Sequence, residues 1–111
     1  MVNFIRERRI HRFQLLIELY RQTNADLDRV INLQEIASKQ GMSPRNFKPA
    51  WQYLMMEELI QLRPYQDSSN PSYDMSYWFT ITHKGIRAVE EAFLDEYKNT
   101  YYFPSYREMN I

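Results

Sequence analysis

At 111 residues the chain has room for one domain with a single modest core, and 44% hydrophobic against 25% charged residues excludes a disordered chain. The absence of cysteine excludes a disulfide framework and a thiolate metal site, and no apolar run approaches the roughly eighteen residues of a membrane span. Formal net charge is zero, which counts against a nucleic-acid binder, for which a basic footprint is expected.

The charge is unevenly spread. Met1 to Tyr65 carry ten Lys/Arg against seven Asp/Glu, a balance of +3, and Gln66 to Ile111 carry four against seven, a balance of −3. Such an asymmetry is compatible with a basic DNA-facing side and an acidic far end. The opening MVNFIRERRIHR is too charged for a signal peptide, so the expected location is the cytoplasm.

Residues 1–23 form the first predicted element, a helix over Phe4 to Gln22. Ile10, Phe13, Leu16, Ile17 and Tyr20 share one face. Leu15 and Leu19 lie outside that stripe and either extend the core or close a dimer. Arg6, Arg8, Arg9 and Arg12 crowd the first turns, where positive charge opposes the helix dipole. They are either a solvated face or a contact for phosphates or an acidic partner.

Thr23 to Asn32 is a turn-rich connection ending in the short β-branched run Val30-Ile31-Asn32. Asn32 is placed to cap a helix beginning at Leu33, with Glu35 completing a capping-box pair. Leu33, Ile36, Ala37 and Gln40 then recur at helical spacing, as do Phe47, Ala50, Trp51 and Leu54 in a second helix. Between them Gly41 supplies a positive-φ helix end, and Ser43-Pro44 reads as an N-cap with proline at the first helical position. Two such helices around a tight turn make a helix-turn-helix, whose second helix can enter a DNA major groove. Pro49 breaks the pattern: either the helix kinks there, or one turn from Pro44 to Lys48 leads into a helix that starts at Pro49, which suits the spacing better. Arg45, Asn46, Lys48 and Gln52 lie off the apolar stripe, with Ser43 and Lys39 close by. Arg and Lys suit guanine edges and phosphates, and Asn and Gln suit adenine.

From Ile60 the period shifts to two. IQLRPY and Tyr77 to Ile81 read as strands around the turn-forming stretch 66–76, a hairpin whose tip carries Asp67 and no Lys or Arg. A hairpin in this position is the wing of a winged helix, here shaped more for packing or protein contact than for phosphate.

The run Glu57-Glu58-Leu59-Ile60, the hairpin, and then Phe79-Thr80-Ile81-Thr82-His83-Lys84-Gly85-Ile86 resemble the winged helix-turn-helix superfamily, MarR-like and PadR-like regulators among them. Many of these end the recognition helix with an E-x-G-L-I-like phrase and close the wing with a T-x-K-G-like one. Glu58 stands where glycine is common, which predicts a less sharp helix end. The similarity spans about residues 33–92 and implies duplex-DNA contact through the exposed side of 44–52 and the wing. It also implies dimerisation through the N- and C-terminal helices.

A C-terminal helix is expected over 83–99, capped by Thr82, with an apolar stripe of Ile86, Val89 and Phe93 flanked by Ala92 and Tyr97. Glu90, Glu91, Asp95 and Glu96 make its outer face acidic and complementary to the basic start of the first helix. In the tail, 100–111, Tyr101, Tyr102, Phe103 and Tyr106 surround Pro104 and are expected to fold back on the domain or a second subunit.

Catalytic signals are absent. His11 and His83 have no metal-ligand spacing, two glycines exclude a phosphate-cradling loop, and no serine sits in a nucleophile elbow. The expectation is a mainly α fold with a small β-hairpin, a single winged-helix domain over 1–111, with 30–82 its helix-turn-helix and wing. It is expected to be no enzyme and to need neither metal nor cofactor. Its expected role is a dimeric DNA-binding regulator using Arg45, Asn46, Lys48, Gln52, Lys39 and Ser43. The alternative is a winged-helix module that holds a protein partner without DNA.

Overall fold

The computed structural model describes residues 1–63, 77–95 and 100–103. In chain order the elements are α1 (Val2–Thr23), β1 (Ile31–Asn32), α2 (Leu33–Lys39), α3 (Pro44–Met56), β2 (Ile60–Leu62), β3 (Trp78–Ile81) and α4 (His83–Leu94). The fold is mainly helical with a small antiparallel sheet in the order β1-β3-β2. Pro64, Tyr65, the loop 66–76, Glu96, Tyr97, Pro104 and Tyr106 lie outside the described residues.

The sheet has one strand more than the expected hairpin. The run before α2 pairs with β3, Ile31 opposite Phe79 and Asn32 opposite Trp78, and Leu33 N–H donates to the Tyr77 carbonyl at 2.9 Å. A two-residue strand has too few positions to show any alternation, so only its β-branched content hinted at it. β3 is thereby central, and Phe79, Thr80 and Ile81 are all buried. On β2 Ile60 is buried, whereas Leu62 is 42% exposed despite its inward register.

α1 is the axis of the core. It packs against α2, α3, α4 and β3. Enclosure on so many sides settles Leu15 and Leu19, which are fully buried core residues together with Phe13, Leu16 and Ile17. An amphipathic stripe describes a helix covered on one side only.

Helix ends explain the turns. Asn32 Oδ1 accepts from Glu35 N–H, Ser43 Oγ from Asn46 N–H, and Thr82 Oγ1 from Gly85 N–H, so three N-caps stand where expected. α2 closes in a Schellman motif: Gly41 has φ 72°, Gly41 N–H donates to Ser38 O and Met42 N–H to Ala37 O. α3 closes the same way without glycine. Glu58 has φ 62°, its N–H donates to Met55 O at 3.0 Å, and Leu59 N–H donates to Leu54 O at 2.9 Å. The helix end at Glu58 is therefore sharp, contrary to the expectation from its residue type. The buried contact of Leu54 with the chain entering β2 holds the turn where glycine would otherwise have made it easy.

Two further expectations are corrected. α3 runs unbroken from Pro44 to Met56 with Pro49 inside it, so no second helix starts at Pro49. The Ser43 cap and the buried stripe Phe47, Ala50 and Leu54 hold both sides of the proline in one helix. α4 ends at Leu94 rather than 99, because Asp95 turns extended at φ −133°, ψ 97°. Its buried face is Gly85, Ala88, Val89 and Ala92, while Ile86 is half-buried and Phe93 is 40% exposed. Small residues face inward there because α4 approaches its neighbours closely, which a count of bulky apolar side chains cannot show.

Candidate nucleic-acid interface

The turn between α2 and α3 is fixed at both ends, by the Gly41 motif and by the Ser43 cap. It is also tied to α1, since Gln40 Nε2 donates to the Gln14 carbonyl at 3.0 Å. From this turn α3 projects with Phe47, Ala50 and Leu54 buried. Arg45, Asn46, Lys48 and Gln52 are all exposed. At about 100° per residue, Arg45 and Gln52 point straight out, with Lys48 to one side and Asn46 to the other.

The flanks differ. On the Lys48 side Trp51 meets Phe79 and Tyr77 of the sheet region, ring centroids 5.8 and 6.4 Å apart. On the Asn46 side lies α1: Arg8, His11 and Arg12 line one shallow notch with Asn46, Pro49 and Ala50. Lys39 is exposed in the last turn of α2, where its charge suits the helix dipole. Ser43 is also exposed, but its Oγ caps α3, a structural task that competes with any ligand. The structure thus brings Arg45, Asn46, Lys48 and Gln52 to one surface and leaves Ser43 and Lys39 at its edge.

The four N-terminal arginines, equivalent by sequence, have separate environments. The Arg8 guanidinium lies 4.4 Å from the Phe4 ring centroid and Arg12 lies 3.7 Å from that of Tyr53 on α3. Burial lowers the Arg12 pKa, and repulsion from Arg8 and Arg9 adds to that lowering. Burial in turn raises the Tyr53 hydroxyl, with the charge of Glu57 acting the same way. Arg9 turns to the tail: its Nε donates to Tyr102 O and its Nη2 to Thr100 O, both at 3.1 Å, and Nη2 also reaches Tyr101 O at 3.3 Å. Arg6 is exposed.

That tail segment folds back on its own domain. Thr100 N–H donates to Phe103 O at 2.9 Å and Phe103 N–H to Thr100 Oγ1 at 3.0 Å, closing a tight loop. Phe103 is fully buried against Phe13, centroids 4.6 Å apart, whereas Tyr101 stays exposed. In the C-terminal half of α4, Glu90 accepts from Tyr20 Oη at 2.8 Å, and this bond raises the Tyr20 pKa. Glu90, Glu91 and Asp95 are exposed.

Sequence reasoning missed the approach of Arg8, His11 and Arg12 to α3. Helical spacing put these residues near one another, and nothing in it told which would face the second helix of the motif. Among the described residues no group of three His, Cys, Asp or Glu converges as a metal site, and no helix is long and apolar enough to cross a membrane. Comparison with known protein families, with curated proteins and with solved structures finds no match to this chain.

Proposed function

We propose that the chain is a winged helix-turn-helix domain that binds duplex DNA through the solvent face of α3 and acts as a small transcriptional regulator. The element order α1-β1-α2-α3-β2-β3-α4, with a sheet ordered β1-β3-β2, supports the winged-helix assignment. The α3 surface supports DNA contact most directly: Arg45, Asn46, Lys48 and Gln52 are all exposed on a helix whose other side is core. Arg45 and Lys48 suit phosphates or guanine, Asn46 and Gln52 suit adenine. Binding of fluorescent random duplex across a salt series tests this. Log affinity should fall linearly with log salt, and Arg45→Ala and Lys48→Ala should weaken it. Absence of binding at low salt refutes the proposal.

The second reading is a module that holds a protein partner without binding DNA, which net neutrality favours; a homodimer belongs to the first reading and is compatible with both. The Phe13 and Phe93 ring centroids lie 5.9 Å apart, and Tyr20 bonds Glu90, so the C-terminal part of α4 packs on the middle of α1. Met1, Val2, Phe4 and Ile5 in the first turns of α1 are exposed apolar residues, as is Leu94 at the end of α4. We assign these exposed apolar residues to a second copy of the chain. Light scattering should report a dimer that Ile5→Glu or Leu94→Glu disrupts. A monomer at all concentrations overturns the assignment.

A further inference from the structure

We infer that the first half of α1 is a second phosphate-gripping ridge, in which Arg8 and Arg12 take the duplex backbone bordering the groove that α3 enters, while Arg9 and Arg6 take no part. This rests on the DNA-binding reading above and adds which cations complete that surface.

Distance comes first. Packed helix axes lie about 8–10 Å apart, and a major groove is about 12 Å wide. A helix packed directly against one seated in the groove therefore rides over the bordering phosphates. α1 is so placed, because Arg8, His11 and Arg12 share a notch with Asn46 and Pro49 of α3. On the opposite flank, beside Lys48, Trp51 packs against the sheet, so the arginine pair Arg8 and Arg12 lies on the α1 side.

Side-chain commitments then select among the arginines. Arg9 spends its guanidinium on the carbonyls of Thr100, Tyr101 and Tyr102. Arg6 lies two residues from Arg8, about 160° round the helix and away from α3. Arg8 and Arg12 are one turn apart on the same side. Each guanidinium rests on an aromatic ring, Phe4 or Tyr53, through its π face, and among the described residues no acceptor takes its planar fan of N–H donors. A stacked guanidinium is pre-oriented, so little rotamer freedom is lost when a phosphate arrives. Like charges crowd this stretch: burial is the main cause of the lowered Arg12 pKa, and repulsion from Arg8 and Arg9 adds to it. An anion relieves that repulsion.

The test is fluorescence anisotropy of a random duplex with the full chain over a salt series, with a thermal melt for every variant. Arg8→Ala should weaken binding and flatten the log–log salt slope by about 0.9, the share of one phosphate contact. Arg8 is exposed, so its removal leaves the core intact, and Arg8→Glu should weaken binding further. Arg12→Ala should act in the same direction, whereas Arg6→Ala should leave the slope at its wild-type value. A wild-type slope for Arg8→Ala, with Arg45→Ala still flattening it, overturns the ridge and leaves the α3 reading standing. Equal flattening by Arg6→Ala and Arg8→Ala also overturns it, because the effect would then be diffuse charge. If the wild type fails to bind at low salt, both fall together.

Discussion

Gly85→Ala tests the joint on which the hairpin, α3 and α4 converge. In an open helix this change stabilises, because alanine exceeds glycine in helix propensity by about 1 kcal/mol. Gly85 is not in open space. A Cβ there would press into the Leu59 carbonyl oxygen, inside van der Waals contact, and would stand 2.9 Å from Ile81 Cγ1 and 3.1 Å from the Leu59 carbonyl carbon. Ile81 could rotate; the carbonyl cannot easily. It accepts from Thr82 N–H at 3.2 Å, while the Thr82 hydroxyl donates to the adjoining Glu58 carbonyl. Glu58 and Leu59 are in turn locked by the Schellman bonds that end α3.

Forcing a methyl group into packed structure costs about 1–3 kcal/mol and more where backbone must move. With about 1 kcal/mol of propensity gained and a clash at the upper end of that range or beyond, the net loss is about 2–3 kcal/mol. That is a large part of the ~5–15 kcal/mol that holds a domain together. Gly41→Ala is the control, since nothing lies within 4 Å of its Cβ and only the left-handed φ of 72° resists the change. Left-handed strain of about 1–2 kcal/mol, less the entropy removed from the unfolded chain, leaves a loss of about 1 kcal/mol. Urea unfolding followed by circular dichroism should rank wild type, Gly41→Ala and Gly85→Ala in falling order. A Gly85→Ala protein as stable as wild type would refute the close approach of α4 to Leu59.

Glu58→Gly should do the opposite and stabilise by about 0.5–1 kcal/mol, because Glu58 sits at φ 62°, where glycine is relaxed. A loss on urea unfolding would show that the carboxylate contributes something its backbone conformation does not reveal. Phe103→Ala should cost about 3–5 kcal/mol, the usual range for a buried aromatic ring, since Phe103 is fully buried on Phe13. A loss below about 1 kcal/mol would mean that the tail is not part of the core. Stability should also fall at alkaline pH. The hydrogen bond to Glu90 raises the Tyr20 pKa and burial raises that of Tyr53, both from 10.0, so the folded state holds these protons longer than the unfolded chain. Their contribution is complete below about pH 10 and is lost as pH climbs through the raised values. Tyr20→Phe should flatten the dependence of the urea midpoint on pH above about 9, and an unchanged slope would refute it.

Much of the fold was legible because local chemistry sets it. Asn32, Ser43 and Thr82 are caps in sequence and in space, since a cap needs only its own oxygen and an N–H three residues on. Gly41 was legible for the same reason. Glu58 was not, because its left-handed turn is imposed by Leu54 and Leu59 packing and by the Thr82 clasp rather than by its own preference. Leu15, Leu19 and the inward face of α4 also depend on what lies across from them. The candidate site divides likewise. Exposure of Arg45, Asn46, Lys48 and Gln52 follows from the Phe47–Ala50–Leu54 stripe, whereas the loss of Arg9 to the tail is a contact spanning 93 residues that no periodicity contains.

Pro49 joins these levels. At the sixth position of a continuous α3 it has no N–H to give the Arg45 carbonyl, and a proline in a helix interior costs about 3 kcal/mol. Position decides how that carbonyl is satisfied. Pro49 and Arg45 are both exposed, so the freed oxygen faces water. The ring also lines the notch beside Arg8 and Arg12. A proline on the buried side would have broken the stripe that docks α3 on α1. Here it removes one bond on the outer side only, and the helix that presents Arg45, Asn46, Lys48 and Gln52 stays in one piece.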